Sequence, residues 1–600
     1  MSRPAIRHPT VHVAGIFCLL LLAYHMIFRD YFPLPSGYMG HDFTFVLPNL
    51  LDGYLWFRNN GFFTPPWFTP SFCGGQPFFA DPQSIYYSLP QFLTFVTNPL
   101  QAVYWSFLIF AGLGFWGMYL FARKNLYLNR SAATVAASVF MFNGFYSHRM
   151  IIGHYGYQSF MLVPLIAWIL LDRPEKRLRS LDGFALSLTA GALVAYCFQS
   201  GLTTLMVPAA LAVISLACLT AIVTPRYPVA PFLERGMLSG VFAIALCASK
   251  LSANLSLMGN FSRDYYLLPG ISDPAGLITF VFQSLFYSGE HVYQTVTPLW
   301  KNLQWAAMPH ELTYNLTPIS LSILVIGLGA YLLKHRKAGI LSTRLAPIQQ
   351  LAAALLAFIF LLPFALLYYS PSWNEVLKSL PLIGSTTSPF RWLIIFIPVI
   401  AALTGMAGDI LGRYKHVTTL IVLLGVPTLN ALEDRSYYKS QKFNPDETVN
   451  YYNAVQLGQV VPRIVKVGTP TEHNGQIAKG VSPAYCYNPL YGYRLEKLKI
   501  EPLVPGPITT VTPSGTLNLH NPACLVFPAE NNCKLWDAFT PSQSSQLQDF
   551  ASYKPYAFEK SSRQHIADWI TKGTCIGLIF GLVILLLVRG KAWLKKKIPT

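Results

Sequence analysis

Twelve stretches of 14 to 22 residues run almost free of charge through this 600-residue chain. Each approaches the roughly 20 apolar residues that a helix needs to cross the hydrocarbon core of a bilayer. They cover residues 11–28, 101–121, 132–146, 158–171, 183–198, 202–223, 237–257, 316–333, 351–369, 392–411, 417–432 and 570–588. Lipid offers no water to satisfy a bare backbone, so segments of this kind fold as helices that pack on one another. The chain is therefore read as an all-α polytopic membrane bundle of about twelve transmembrane helices. Composition agrees, with 12% of residues charged and a mean hydropathy of +0.39, where a soluble domain carries about 25% charge. That excludes a soluble multidomain enzyme, and the 14% aromatic content excludes a disordered chain.

Basic residues test the count independently, because they accumulate in cytoplasmic loops. With a cytoplasmic N-terminus, the inside segments are 1–10, 122–130, 172–182, 224–236, 334–348, 412–416 and 589–600. These 75 residues hold 22 of the 44 Lys and Arg. Half of the positive charge thus sets orientation, and the net charge of +18 needs no nucleic acid to explain it. The first run has the basic start of a signal peptide but no small-x-small cleavage site, and reads as an uncleaved anchor. Both termini fall on the cytoplasmic side, in the inner (cytoplasmic) membrane of a cell.

Three long pieces then fall outside: loops 29–100 and 258–315 within the bundle of residues 1–432, and a segment 433–569. A last span and a basic tail, 570–600, follow. Segment 433–569 is long enough for a domain of its own. Its alternating, turn-punctuated stretches, such as 506–520, read as short strands, so a small β-rich extracytoplasmic domain is expected there. Four cysteines are extracytoplasmic: Cys73, Cys486, Cys524 and Cys533. The spacing of Cys524 and Cys533 suits either a disulfide in an oxidising compartment or two free thiols.

Phosphate-binding glycine loops and strong metal motifs are absent from the sequence, and the cytoplasmic loops are too short for a nucleotide-binding domain. An active site must then be built at the extracytoplasmic face. In the first outer loop, Asp42 follows His41 in an aromatic-rich interfacial segment. A carboxylate against apolar surface titrates high and suits a general base; a helix cap at the start of residues 42–57 is the competing role. Asp81, before Pro82, is either a second acid of the site or a turn former.

Gly40-His41-Asp42 just after the first run, Trp67 and Gly74-Gly75-Gln76-Pro77 further on, and the aromatic segment 85–90 together resemble the first outer loop of the YfhO-type bacterial membrane proteins. Those fall within the GT-C class of polytopic glycosyltransferases. Residues 142–148 with Gly153-His154 and 162–165, the sequence Ser388-Pro389-Phe390-Arg391, and a large outer segment before the last span fit the same pattern. The resemblance implies a GT-C-like fold, with Asp42 as the base acting on an acceptor and a polyprenyl-phosphate-linked sugar as donor. His41 stands where a second acid would make a paired-carboxylate metal site.

Such a donor leaves a lipid phosphate behind, which calls for cations at outer span ends. Lys250 lies well inside the seventh run, where a charge is costly without a partner or a task, although snorkelling would also serve it. Arg391 opens the tenth span against the orientation rule, and Arg149 stands beside His148. Arg263 with Asp264 reads as a local ion pair. His41, His148, His154, His291 and His310 are all extracytoplasmic, with Asp42, Glu290 or Glu311 at hand for a divalent cation, but no ligand spacing among them demands one. The expectation is an integral-membrane glycosyltransferase working on a lipid-linked donor and a glycan or lipid acceptor at the outer face. A twelve-span transporter or flippase is the alternative, although no internal repeat supports it; a non-catalytic envelope-assembly protein is a third.

Overall fold

The computed structural model describes residues 11–32, 39, 42–172, 180–224, 229–260, 267–301, 308–335, 345–381, 383–384, 386, 388–439, 443–469, 475–485 and 502–597. His41, Cys486 and the Arg263–Asp264 pair lie outside them.

Nine helices among the described residues are long and apolar enough to cross a membrane, against the twelve expected. They include α1 (Val11–Phe28) and the helices Pro99–Lys124 and Val229–Gly259. Local chemistry sets their ends. The side chain of Asn98 accepts from the Gln101 amide at 2.9 Å, Pro99 stands in the first turn, and Arg123 and Lys124 close the last turn, where the helix dipole favours cations.

The third and fourth apolar runs behave differently. The third becomes helix Arg130–Met141, whose 12 residues reach only about 18 Å. It is buried from Ala132 to Met141 between helices Pro99–Lys124 and Phe396–Ile410, so it is apolar because protein surrounds it. The fourth forms a 3-10 turn, Tyr155–Leu162, leading into helix Val163–Leu171. The twelfth lies in helix Ser562–Lys597, which packs along Val229–Gly259.

Two hydrophobic cores organise the molecule. The larger fills the bundle. The smaller joins α2 (Phe43–Asn60), through Leu51, Tyr54 and Trp56, to the first long loop at Trp67 and Phe79, and to Ile464, Leu519 and Phe539 of the C-terminal segment. In that segment the described strands are only two or three residues long. Lys466–Gly468 pairs parallel with Val481–Pro483 and antiparallel with Gly506–Pro507. Prolines explain the brevity: a proline donates nothing to a ladder, and the stretch 505–513 carries Pro505, Pro507 and Pro513. Asn518 substitutes for strand pairing, with its side chain accepting from the Val504 amide at 3.0 Å and donating to the Val504 carbonyl at 2.7 Å. Cys524 and Cys533 are joined by a disulfide with their Cα atoms 5.8 Å apart, which settles the choice that spacing left open.

Candidate active site

Asp42 stands immediately before α2, where a carboxylate ordinarily caps the first turn, yet its side chain makes no capping bond. Its backbone carbonyl accepts from the amides of Phe45 and Val46, and the carboxylate turns away to lie 2.9 Å from Nε2 of His154. A turn makes this meeting possible. The Asp42 amide donates to the Ile152 carbonyl at 2.9 Å, and Gly153 adopts φ +99°. A Cβ at residue 153 would lie 2.6 Å from the Phe43 nitrogen and 2.7 Å from the Asp42 carbonyl carbon. Glycine alone supplies both that dihedral and that clearance.

The second ring nitrogen of His154, Nδ1, lies 3.3 Å from Nη1 of Arg149. A guanidinium only donates, so Nδ1 accepts, and the proton assigned to the ring sits on Nε2, aimed at Asp42. Arg149 is wholly buried, and its Nη2 reaches Glu311 Oε2 at 2.8 Å. Glu311 in turn takes a two-pronged contact from Arg391: Nε at 3.1 Å, and Nη2 on the other oxygen. Nη1 of Arg391 donates to the Tyr157 hydroxyl at 2.6 Å. The Arg149 guanidinium lies over the Phe145 ring at 4.9 Å, and that of Arg391 over Tyr157 at 5.3 Å. Asp42, His154, Arg149, Glu311 and Arg391 therefore form one continuous network, in which two carboxylates balance two guanidiniums. A buried charge stripped of its partner destabilises strongly, so the network is held as a unit.

This network forms part of the wall of a cavity of about 430 Å³, lined among others by Asp42, Asn49, Ser84, His154, Tyr157 and Arg391. The Asp42 carboxylate is 27% exposed. Arg391 is 21% exposed, and three of its N–H groups are engaged out of the five a guanidinium offers. Among the described residues, the cavity thus presents a proton acceptor and a cation with donors not engaged by other side chains.

The other candidate residues stand elsewhere. Lys250 does not line the cavity. Its buried ammonium donates to the carbonyls of Ser84 at 3.3 Å and Gln199 at 3.2 Å and lies 4.9 Å from the centre of the Tyr86 ring. Since Ser84 is a wall residue, Lys250 ties that wall down from behind. Asp81 is the carboxylate whose charge acts on it; its side chain also accepts from the Gln83 amide at 2.8 Å, as a turn former does. His148 belongs to a separate buried cluster, with Nε2 3.3 Å from Glu433, which also holds Arg435 at 3.1 Å. Burial alone would raise the Glu433 carboxyl, but His148 and Arg435, together with a hydrogen bond from Asn315, hold it below its ordinary value.

His154, His310 and Glu311 bring ligand-type atoms within 4.8 Å of one another. The set does not fit a divalent cation. Both ring nitrogens of His154 and both oxygens of Glu311 are engaged by Asp42 and the two arginines, and those guanidiniums already supply the positive charge that a metal would bring.

Glu311 was visible in the sequence only as a metal ligand candidate, and Tyr157 was not singled out. A carboxylate at the mouth of an apolar run, in Pro309-His310-Glu311-Leu312, was the available signal, because an acid in that position requires a cationic partner.

No family model matches the chain, and neither does any curated protein. Among solved structures, the apo oligosaccharyltransferase of Archaeoglobus fulgidus aligns with a TM-score of 0.42 at 13% identity, over 80% of this chain and 65% of that one. The same enzyme tethered to an acceptor peptide containing the NVT sequon gives 0.42 at 12% identity, over 80% and 64%. The archaeal oligosaccharyltransferase AglB of that organism, in complex with an inhibitory peptide and a dolichol-phosphate, gives 0.35 at 13% identity, over 74% and 57%. The chain thus spans less than two thirds of the length of each of these neighbours. Likeness at this level assigns neither a family nor an activity.

Proposed function

We propose that this chain is an integral-membrane glycosyltransferase of GT-C type, moving a sugar from a polyprenyl-phosphate-linked donor to a glycan or lipid acceptor on the extracytoplasmic side. The observation that carries the reading is the pairing, on one cavity wall, of a carboxylate freed from capping with an arginine that, among the described residues, has donors to spare. Asp42 takes the proton of an acceptor hydroxyl as its oxygen attacks the anomeric carbon. The bond from that carbon to the phosphate oxygen breaks with inversion, and its electron pair leaves on the phosphate, where Arg391 meets the charge that develops. His154 orients Asp42 by donating to it. Arg149 fixes the His154 tautomer, and Glu311 keeps both guanidiniums in place. Lys250 acts in this reading as a positioning residue for the Ser84 wall.

The test is radiolabelled transfer from a panel of polyprenyl-phosphate sugars in proteoliposomes, with release of label into the lumen followed in parallel. Transfer is the expected result. Flux of intact lipid-linked sugar with no transfer from any donor would overturn it in favour of a flippase. Because the network is neutralised by its arginines, chelation with EDTA is expected to leave the transfer rate unchanged; a loss restored by a divalent cation would show that a metal takes part.

A further inference from the structure

Beyond the first cavity, a second concavity lies at the other end of α2. A pocket of about 220 Å³ is walled by Trp56, Trp67, Phe68, Tyr556 and Phe558. It runs into a shallower groove of about 740 Å³ lined by Asn59, Asn60, Arg463, Asp549 and Lys554. The two share Lys554 and Pro555, so they form one continuous surface with an aromatic half and a polar half.

The rings are held in place. Phe68 and Phe558 are 4.8 Å apart in a T-shaped pair, Tyr556 lies 5.5 Å from Phe68, and the Lys560 ammonium sits 4.4 Å from the centre of the Trp67 ring. Lys560 is matched by Asp568 at 2.9 Å. Among the described residues, the cations of the polar half are not matched in this way. Arg463 donates to the neutral side chain of Gln548, and Lys554 is exposed with no carboxylate bonded to it among the described residues. Asp549 is the single acid lining that half among the described residues.

Aromatic rings beside an exposed amide and exposed cations match a pyranose chain: the C–H faces of the sugars lie on the partly exposed rings of Tyr556 and Phe558, the hydroxyls bond to Asn59 and to the side-chain oxygen of Asn60, whose nitrogen already donates to the Trp56 and Tyr553 carbonyls, and carboxylates on the sugars meet Arg463 and Lys554. We infer that this groove binds an acidic oligosaccharide, of the uronate-bearing class. A flat lipid surface would meet the rims and leave the concave floor unfilled. The inference deepens the transferase reading by making this glycan its acceptor. Asn49 lines the first cavity and Trp56 the second, seven positions apart on α2, which is about 10 Å along a helix. An acceptor engaging both would therefore be an extended chain and not a single sugar.

Binding can be measured without any donor, so it stands or falls separately from transfer. The full chain in zwitterionic nanodiscs is titrated calorimetrically with short oligogalacturonates and with their neutral methyl esters. The acidic form is expected to bind at least about tenfold more tightly, with affinity falling as salt rises. The exposed double variant Lys554→Glu, Arg463→Glu is expected to lose that preference, and a second variant, Tyr556→Ala, is expected to weaken both ligands; thermal unfolding checks that each is folded. Equal affinity for the two ligands, or an unchanged preference in the double variant, would overturn the inference. So would a groove whose only response is to discs containing anionic lipid, since that would make it a membrane contact.

Discussion

Asp52 lies inside α2 with its carboxylate fully buried, accepting from Thr69 at 2.7 Å and from Ser71, whose hydroxyl also lies 2.9 Å from that of Tyr553. Burial pushes its pKa up to about 7, against the downward pull of the two hydroxyls. An unfolded aspartate titrates near 3.9, so between those values the folded state holds a proton that the unfolded state has lost. The Asp52 contribution to stability then falls as pH rises from about 4 to about 7 and stays level above, by roughly 4 kcal/mol. Asp52→Asn keeps an acceptor for both hydroxyls and removes the titration. It is expected to flatten thermal stability over that window and to raise the melting temperature at pH 8; a parent protein whose stability climbs through the window would contradict this. Residue chemistry was legible in the sequence where a charge stood in an unusual place: Asp42, Arg149, His154 and Arg391 meet in one network. The pairings were not legible, because Glu311 comes from 162 positions beyond Arg149 and 80 before Arg391. Asp52, in the aromatic and apolar run Leu50-Leu51-Asp52-Gly53-Tyr54, drew no attention, because its hydroxyl partners lie in a different part of the loop.

Between elements, the contact that positions the site is the Gly153 turn against the start of α2. Gly153→Ala combines a left-handed dihedral with a backbone clash, and relief requires the turn to withdraw from Asp42. Strain of this kind costs about 1–3 kcal/mol, and moving His154 from Asp42 removes the orientation of the base. Transfer is expected to fall by about 100-fold while the bundle still folds, as judged by rate and melting temperature on the same sample; full activity in the variant would dissociate the turn from the site. The long helices were legible because hydropathy reports burial in lipid directly. Helix Arg130–Met141 was read as a span because hydropathy cannot tell a lipid neighbour from a protein one: Ala133, Val135, Ala136 and Val139 are buried against other helices. Among the described residues the C-terminal segment holds only short strands, for a related reason. Alternation in 506–520 signals an extended chain, and its prolines allow extension without pairing.

At the scale of the whole molecule, the two cores interlock through α2, which begins at the first cavity and ends at the aromatic pocket. Leu51, Tyr54, Leu55 and Trp56 are buried in the same cluster as Ile464, Leu519, Phe539 and Tyr553. Deleting residues 443–561 would bare that face, an exposed apolar patch that invites aggregation. The expected result is loss of monodisperse protein on size exclusion; a stable, monodisperse truncated bundle would show that the second core is dispensable. The orientation rule and the outer-loop resemblance pointed to a site at one end of the bundle, but that the first loop and the C-terminal segment share a core is a tertiary fact with no local sequence signal. The central claim is that Asp42 takes a proton during sugar transfer, and it is tested most directly by the transfer rate of Asp42→Asn beside the parent, each reconstituted with the same polyprenyl-phosphate donor. A general base contributes about 10²–10⁴-fold, so the variant is expected to retain its fold and donor binding and to lose transfer by at least about 100-fold. Transfer by the folded variant at the parental rate would contradict the account.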